Sequence, residues 1–217
     1  MFLSDSTFAS LTNKILKLFS DSTFKALNEK MLFPMRIHYL TKILTPYLSE
    51  SPMILDLGTS NGSLAANIKQ VLNKRSLTPE FIGCDTHIQP ENFIPIVRYD
   101  GSSLPFKDNH FDTVMIIDVF HHADNPRILL EEAKRVSRKN ILIKDHYWKS
   151  SKDFTSLKFA DYIGNQPYGI HLPYSFLTEE NWDEMIAQLK LEILESRKFR
   201  YNFIDPCKHI LFNLKVT

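Results

Sequence analysis

The chain has 217 residues, 43% hydrophobic and 24% charged, with a formal net charge of +1. That length suits one domain burying roughly 70% of its unfolded surface, and the near-neutral charge argues against a protein that coats nucleic acid. No run reaches the about 18 apolar residues of a membrane span, Met1 to Asp5 lack the basic and apolar regions of a secretory signal, and Cys84 and Cys207 are too few for a disulfide framework or a Cys-rich zinc site, so a cytoplasmic protein with buried thiols is expected.

Taken in order, residues 4–11 and 20–27 nearly repeat each other as Ser-Asp-Ser-Thr-Phe-x-x-Leu. Each copy offers an N-cap before a helical stripe, Phe8, Leu11, Ile15 and Leu18 in one and Phe24, Leu27 and Met31 in the other. Two short amphipathic helices within a helical cap over residues 1–50 are expected. A peripheral membrane anchor is the weaker reading, because Lys14, Lys17 and Lys25 are balanced by acids. Arg36 to Ser49 continues as helix, which Pro46 kinks or ends.

A core follows over residues 51–145. Strands are predicted at 53–57, 81–85, 93–99, 111–118 and 140–145, with helices at 64–72 and 126–137 between them. Such alternation predicts an α/β fold with a mainly parallel sheet covered by helices on both faces. Residues 146–176 then hold eight aromatic residues, Tyr147, Trp148, Phe154, Phe159, Tyr162, Tyr168, Tyr174 and Phe176, without clear periodicity. An aromatic lid insert over a substrate pocket is expected there. Residues 177–217 read as a helix started by Thr178 and two strands forming a hairpin at the sheet edge.

The stretch Ile54-Leu55-Asp56-Leu57-Gly58-Thr59-Ser60-Asn61-Gly62-Ser63 is a strand running through a glycine turn into a helix, a place where backbone N–H groups can face a ligand. It is not a dinucleotide loop, which needs glycine at 60 and 63, nor a P-loop, which needs Gly-Lys-Ser/Thr. Asp56, Asp85, Asp100, Asp118 and Asp145 each fall at the carboxyl end of a predicted strand, the edge where open α/β sheets bind ligands. Asp85 lies twenty-three residues beyond Gly62, close to the spacing of an acid that grips a ribose diol, and a carboxylate has the two acceptor oxygens this needs.

Asp56-x-Gly58-x-x-x-Gly62, Asp100-Gly101-Ser102-Ser103-Leu104-Pro105-Phe106 with Phe111-Asp112-Thr113-Val114, and Val119-Phe120-His121-His122 with Pro126 stand in the order and spacing of three motifs. Together they resemble the class I, Rossmann-like S-adenosylmethionine-dependent methyltransferases of the small-molecule "methyltransferase type 11" group. The resemblance spans about residues 50–145 and implies a seven-stranded sheet with an antiparallel C-terminal strand. It also implies an enzyme whose cofactor is S-adenosylmethionine. Carried over, it places Asp56 and the backbone of Gly58, Ser60, Asn61 and Gly62 at the methionine amino and carboxylate groups. It places Asp85 at the ribose, Asp100 and Gly101 at the adenine amino edge, and Asp118 beside the methionine moiety or the acceptor. Ser60 departs from the family, which commonly has glycine there; serine suits such a turn at negative φ, and a blocked loop would weaken cofactor binding. Lys144-Asp145-His146, Asp161-Tyr162-Ile163-Gly164-Asn165 and Leu172-Pro173-Tyr174-Ser175-Phe176 are similar to a subset of that group.

The expected activity is methyl transfer to O, N or C of a small, partly apolar acceptor held in line with the methyl group. His146 and then His122 are the candidate general bases, with Asp118 beside them. No metal is expected, since adjacent histidines such as His121 and His122, with Asp124, seldom point together. Lys134, Arg135, Arg138, Lys139, Lys144, Lys149 and Lys152 read as a solvated face, in part at a helix C-terminus, so no nucleic-acid partner is expected. The alternatives are a cofactor-binding regulatory module with weak turnover, and an RNA methyltransferase using that basic face.

Overall fold

The computed structural model describes residues 28–165, 169–203 and 205–217. Among them a π-helical turn, Asn28–Leu32, leads into α1 (Phe33–Leu48). There follow β1 (Met53–Leu57), α2 (Ser63–Asn73), β2 (Glu80–Asp85), β3 (Ile96–Arg98), β4 (Phe111–Ile117), α3 (Pro126–Val136) and β5 (Ser137–His146). The chain ends with α4 (Ser151–Asn165), α5 (Glu179–Gln188), β6 (Glu192–Phe199) and β7 (His209–Lys215). The seven strands make one sheet in the order β3-β2-β1-β4-β5-β7-β6. β1 to β5 pair in parallel, and β7 runs antiparallel to both β5 and β6. The mainly parallel sheet, its antiparallel C-terminal strand and the edge hairpin are as the sequence predicts.

Both faces of the sheet are buried, so β4 is apolar or enclosed at every position. Alternation divides it: Val114 and Ile116 pack with Leu130 and Ala133 of α3 and Trp182 and Ile186 of α5. Met115 and Ile117 pack with Leu40 and Leu44 of α1 and Ile68 and Leu72 of α2. Local signals start the helices. Asn125 caps α3 by accepting from the N–H groups of Arg127 and Ile128, and Thr178 forms a capping box with Asn181 at α5.

The structure departs from the predicted elements in four places. α1 runs through Pro46 to Leu48; a proline so near a helix end disturbs little of the hydrogen-bond ladder. β3 is three residues long rather than seven, because Pro95 has no N–H and contributes only its carbonyl, to Gly83 N at 2.8 Å. β5 begins at Ser137 rather than Asn140. Residues 146–176 are not irregular throughout but contain α4, whose fully buried positions are Leu157 and Asp161, too short an apolar stripe to read as a helix. Around it Trp148, Phe154, Tyr174 and Phe176 gather with Leu157 and Cys207 into a third, smaller apolar cluster. The repeated N-terminal segments and Tyr168 lie outside the described residues. Among the described residues no helix is long and apolar enough to cross a membrane, and Cys84 and Cys207 are free and buried.

Candidate functional site

The parallel register brings the carboxyl ends of β1, β2 and β4 to one edge, pairing Asp56 with Gly83 and Met115 and Asp85 with Arg98. The turn after β1 is shaped by two glycines. Gly58 has φ +74, and a Cβ there would lie 2.4 Å from Val119 Cγ2. Gly62, at the N-cap of α2, has φ +78, and its Cβ would lie 2.5 Å from Ile94 Cγ1. Neither position has room for a side chain. Asn61 Oδ1 closes the turn by accepting from Ser63 N at 3.1 Å.

Ser60 sits between them at φ +55, the left-handed region, not the negative φ that would suit serine. This conformation points its N–H at Asp85 Oδ2, 2.8 Å away, while His87 N donates to Asp85 Oδ1 at 3.0 Å. The loop keeps Ser60 strained because the Asp85 carboxylate holds its amide in place. Ser60→Gly relieves a left-handed cost of roughly 1–2 kcal/mol and restores roughly 0.5–1 kcal/mol of chain entropy to the unfolded state. The net expectation is a Tm about 1–4 °C higher, read by thermal unfolding; an unchanged or lower Tm contradicts it.

The other strand-end acids differ in setting. Asp56 is buried and accepts from Thr59 Oγ1 at 2.6 Å. Burial pushes its carboxyl up to about 7 against the Thr59 hydrogen bond, with the nearby Asp85 charge adding to the rise. Asp100 is exposed, and Ser103 N with Ser102 N and Oγ bond its Oδ1 at 2.8–2.9 Å and hold it at about 2. Gly101 beside it has φ +89. These residues fit an adenosine with an amino-acid tail. Asp85 uses two of about four acceptor positions on backbone amides, which leaves two, the number a vicinal diol needs. Asp56 is an acid whose ionisation a bound ammonium or sulfonium would favour.

Asp118 follows β4 with φ +57. Its carboxylate accepts from Arg36 Nη2 of α1 and from Lys144 Nζ of β5, both at 2.5 Å. Burial alone would raise its pKa, but Lys144 and Arg36, then His146 and His121, outweigh that and hold it well below the usual carboxylate range. Lys144 is 0% exposed, so it is not part of a solvated basic face as its sequence neighbours suggest. The helix before it also ends at Val136, which puts Arg138 and Lys139 on β5, where they pair with Asp112 at 3.2 and 3.1 Å. Arg135 binds Glu132 and Asp108, and Lys149 binds Glu179. Arg36 and Lys144 are the site residues that sequence reasoning missed. A lysine directly after the apolar run Ile141-Leu142-Ile143, on the same predicted strand, is the available signal, because lysine is almost never fully buried without a partner.

Four histidines stand next to this pair. His146 reaches within 3.4 Å of Asp145 Oδ1 and 3.6 Å of Asp118 Oδ1 through Nδ1, which has no hydrogen-bond partner among the described residues. Burial and the Lys144 charge lower its pKa below the ordinary imidazole value. His122 is lowered to about 4 by burial and by His121. His121 Nδ1 bonds Asp145 Oδ1 at 2.7 Å, and Asp145 also accepts from Phe120 N at 2.8 Å and His146 N at 2.7 Å. Asp145 therefore pins the turn that carries His121. His209 pairs with Asp205 at 2.8 Å. Contrary to expectation His121 and His122 do converge, with ring centroids 4.1 Å apart, while Asp124 turns instead to His171 at 3.1 Å. A separate groove of about 530 Å³ lies between α1 and α2, lined by Phe33, Ile37, Thr41, Ser63 and Asn67 among others, and none of the strand-end acids borders it.

Residues 55–142 match the family model described as a methyltransferase domain. An uncharacterized protein of Methanocaldococcus jannaschii, MJ1123, is 44% identical over 46 residues, a stretch covering 21% of this chain and 22% of that protein. Among solved structures, an S-adenosylmethionine-dependent methyltransferase from Aquifex aeolicus is 16% identical, with a TM-score of 0.58 over 92% of this chain and all of the other. A complex of Haloferax volcanii containing the Trm112 methyltransferase activator superposes with a TM-score of 0.59 at 15% identity, over 90% of this chain and 93% of that one. With the strand order, these likenesses show that the chain has the seven-stranded Rossmann-like fold of those structures, built around a segment, residues 55–142, that is similar to a methyltransferase domain.

Proposed function

We propose that the protein transfers a methyl group to O, N or C of a small, partly apolar acceptor, with His146 as general base. When bound, S-adenosylmethionine supplies an electrophilic methyl on a sulfonium. Asp85 holds the ribose diol, Asp100 and Gly101 take the adenine edge, and Asp56 with the backbone from Gly58 to Gly62 takes the methionine end. Asp118, fixed by Arg36 and Lys144, sets the charged floor of the site between that end and the histidines. The observation that carries the acceptor reading is the placement of His146 between this floor and an aromatic wall. Its ring meets Phe176 edge-on at 6.0 Å, and Phe176 meets Phe154 and Tyr174 in turn. Two carboxylates beside Nδ1 favour a proton on that atom, which leaves the Nε2 lone pair as acceptor. His122 is less suited, because burial and the neighbouring His121 lower its pKa to about 4, making it a weak base. An acceptor of small size is supported further by the basic residues at 134–149, most of which spend their charge on acids of this chain rather than on a surface for RNA. Free, buried cysteines agree with a cytoplasmic setting.

Calorimetry with S-adenosylmethionine followed by a labelled-methyl screen over small phenols, amines and carbon acids tests the proposal. Binding is expected, with turnover on one acceptor class. His146→Gln is expected to lower kcat about 10²–10⁴-fold with little change in cofactor affinity. Absence of binding at millimolar cofactor overturns the cofactor site, and binding without turnover on any acceptor marks a regulatory module instead.

A further inference from the structure

We infer that His121 Nε2, His122 Nε2 and the Asp161 carboxylate form a site for a divalent transition-metal ion of the zinc class. Asp161 lies on α4, some forty residues from the two histidines, which sit on the short 3₁₀ turn Phe120–His122. Its Oδ1 stands 3.7 Å from His121 Nε2 and 3.6 Å from His122 Nε2. Those separations are too long for hydrogen bonds. They lie close to the about 3.3 Å between neighbouring ligand atoms around a tetrahedral ion with bonds of about 2.0–2.1 Å.

The rest of the cluster is arranged as metal ligands are. Each histidine has its other nitrogen engaged: His121 Nδ1 on Asp145 and His122 Nδ1 on the His171 carbonyl. A proton on Nδ1 leaves both Nε2 lone pairs aimed at Asp161, the pairing of carboxylate or carbonyl, histidine and metal that fixes the tautomer in metal sites. Asn165 Nδ2 donates to Asp161 Oδ1 at 2.6 Å and orients the carboxylate. Asp161 Oδ2 is buried with no hydrogen-bond partner among the described residues, in a side chain only 4% exposed. A carboxylate oxygen so enclosed costs stability unless something positive meets it.

Two other groupings of acids and histidines in the same interior do not qualify. In His121, Asp145 and His146, the first two are already joined by a 2.7 Å hydrogen bond. In Asp118, His146 and His209, the acid is saturated by Lys144 and Arg36 and His209 is paired with Asp205. In the set with Asp161, neither imidazole Nε2 is hydrogen-bonded among the described residues, and Asp161 Oδ1 carries only the bond from Asn165. Two imidazoles and one carboxylate suit zinc, iron(II) or cobalt(II) rather than magnesium or calcium. Three protein donors leave at least one coordination position, on a cluster whose most accessible side chain is His122, at 21%.

The test is titration of chelator-treated protein with cobalt(II) alone, followed by absorbance in the visible d–d region and by displacement with zinc. One equivalent with a saturable tetrahedral spectrum is expected. Asp161→Asn and His122→Gln should each abolish it, and Asp145→Asn, one shell out, should weaken binding about 10–100-fold. Folding of each variant is checked by circular dichroism, and His122→Gln, at a partly exposed position, carries the test if Asp161→Asn does not fold. No d–d spectrum with the unmodified protein overturns the site, as does a spectrum that survives both substitutions. Neither cofactor nor acceptor enters the titration, so its outcome is independent of the methyl-transfer reading.

Discussion

Asp85→Ala is expected to weaken S-adenosylmethionine binding by about 10²–10⁴-fold. The carboxylate is the acid at the end of β2, and on the proposed assignment the ribose diol would lose two charge-assisted hydrogen bonds of about 1.5–3 kcal/mol each, which at about 1.4 kcal/mol per factor of ten gives that range. The same change frees the amides of Ser60 and His87, which now converge on its two oxygens, so the glycine turn loosens as well. Asp85→Asn separates these effects. It keeps one acceptor oxygen and removes the charge, and an intermediate affinity is expected. Calorimetric titration of both variants measures the ladder. Unchanged affinity in Asp85→Ala removes the ribose assignment while leaving the fold untouched.

The second large effect is on stability. Asp118→Asn is expected to cost about 3–5 kcal/mol, because it strands the Lys144 ammonium in the interior without its counter-charge, and hence to lower Tm by about 6–20 °C. The backbone is not the reason, since asparagine tolerates the left-handed φ of +57 at least as well as aspartate. Lys144→Met alone should cost less, because Asp118 keeps Arg36, whose side chain is 34% exposed and partly solvated. The double variant should recover most of the loss, since a buried pair can be replaced by apolar packing at little cost. Thermal unfolding of the three proteins decides it. Additive losses would show that Asp118 and Lys144 do not act as a pair.

These two predictions rest on features that the sequence reveals to different degrees. Asp85 announces itself by its distance from Gly62 and its place after the apolar run Phe81-Ile82. The structure then adds what spacing cannot show, that its two oxygens hold the amides of Ser60 and His87. Asp118 is also visible as a strand-end acid, but nothing near it in the chain names its partners. Arg36 lies on α1 and Lys144 on β5, and both reach it only because α1 packs across the sheet and β4 pairs with β5.

The same division holds for the fold. Alternating apolar runs and helical stripes specify the parallel core, because strands buried on both faces must be apolar throughout and the helices covering them must show one apolar side. Glycines at 58 and 62 are legible for a local reason, the turn between strand and helix. α4 escaped notice because its enclosed face is carried by one leucine and one aspartate, a pattern with no helical signature in composition. That aspartate, Asp161, matters only through residues some forty positions away.

The architecture, the glycine turn after β1 and the acids along one sheet edge are thus legible in the residues alone. Each is set by periodicity or by turn chemistry acting over a few neighbouring residues. Folding alone sets which charges are buried against which: Lys144 and Arg36 on Asp118, His121 on Asp145, and two adjacent histidines on Asp161. Those pairings depend on side chains meeting across elements far apart in the chain, and burial then makes their charges matter far more than they would in water.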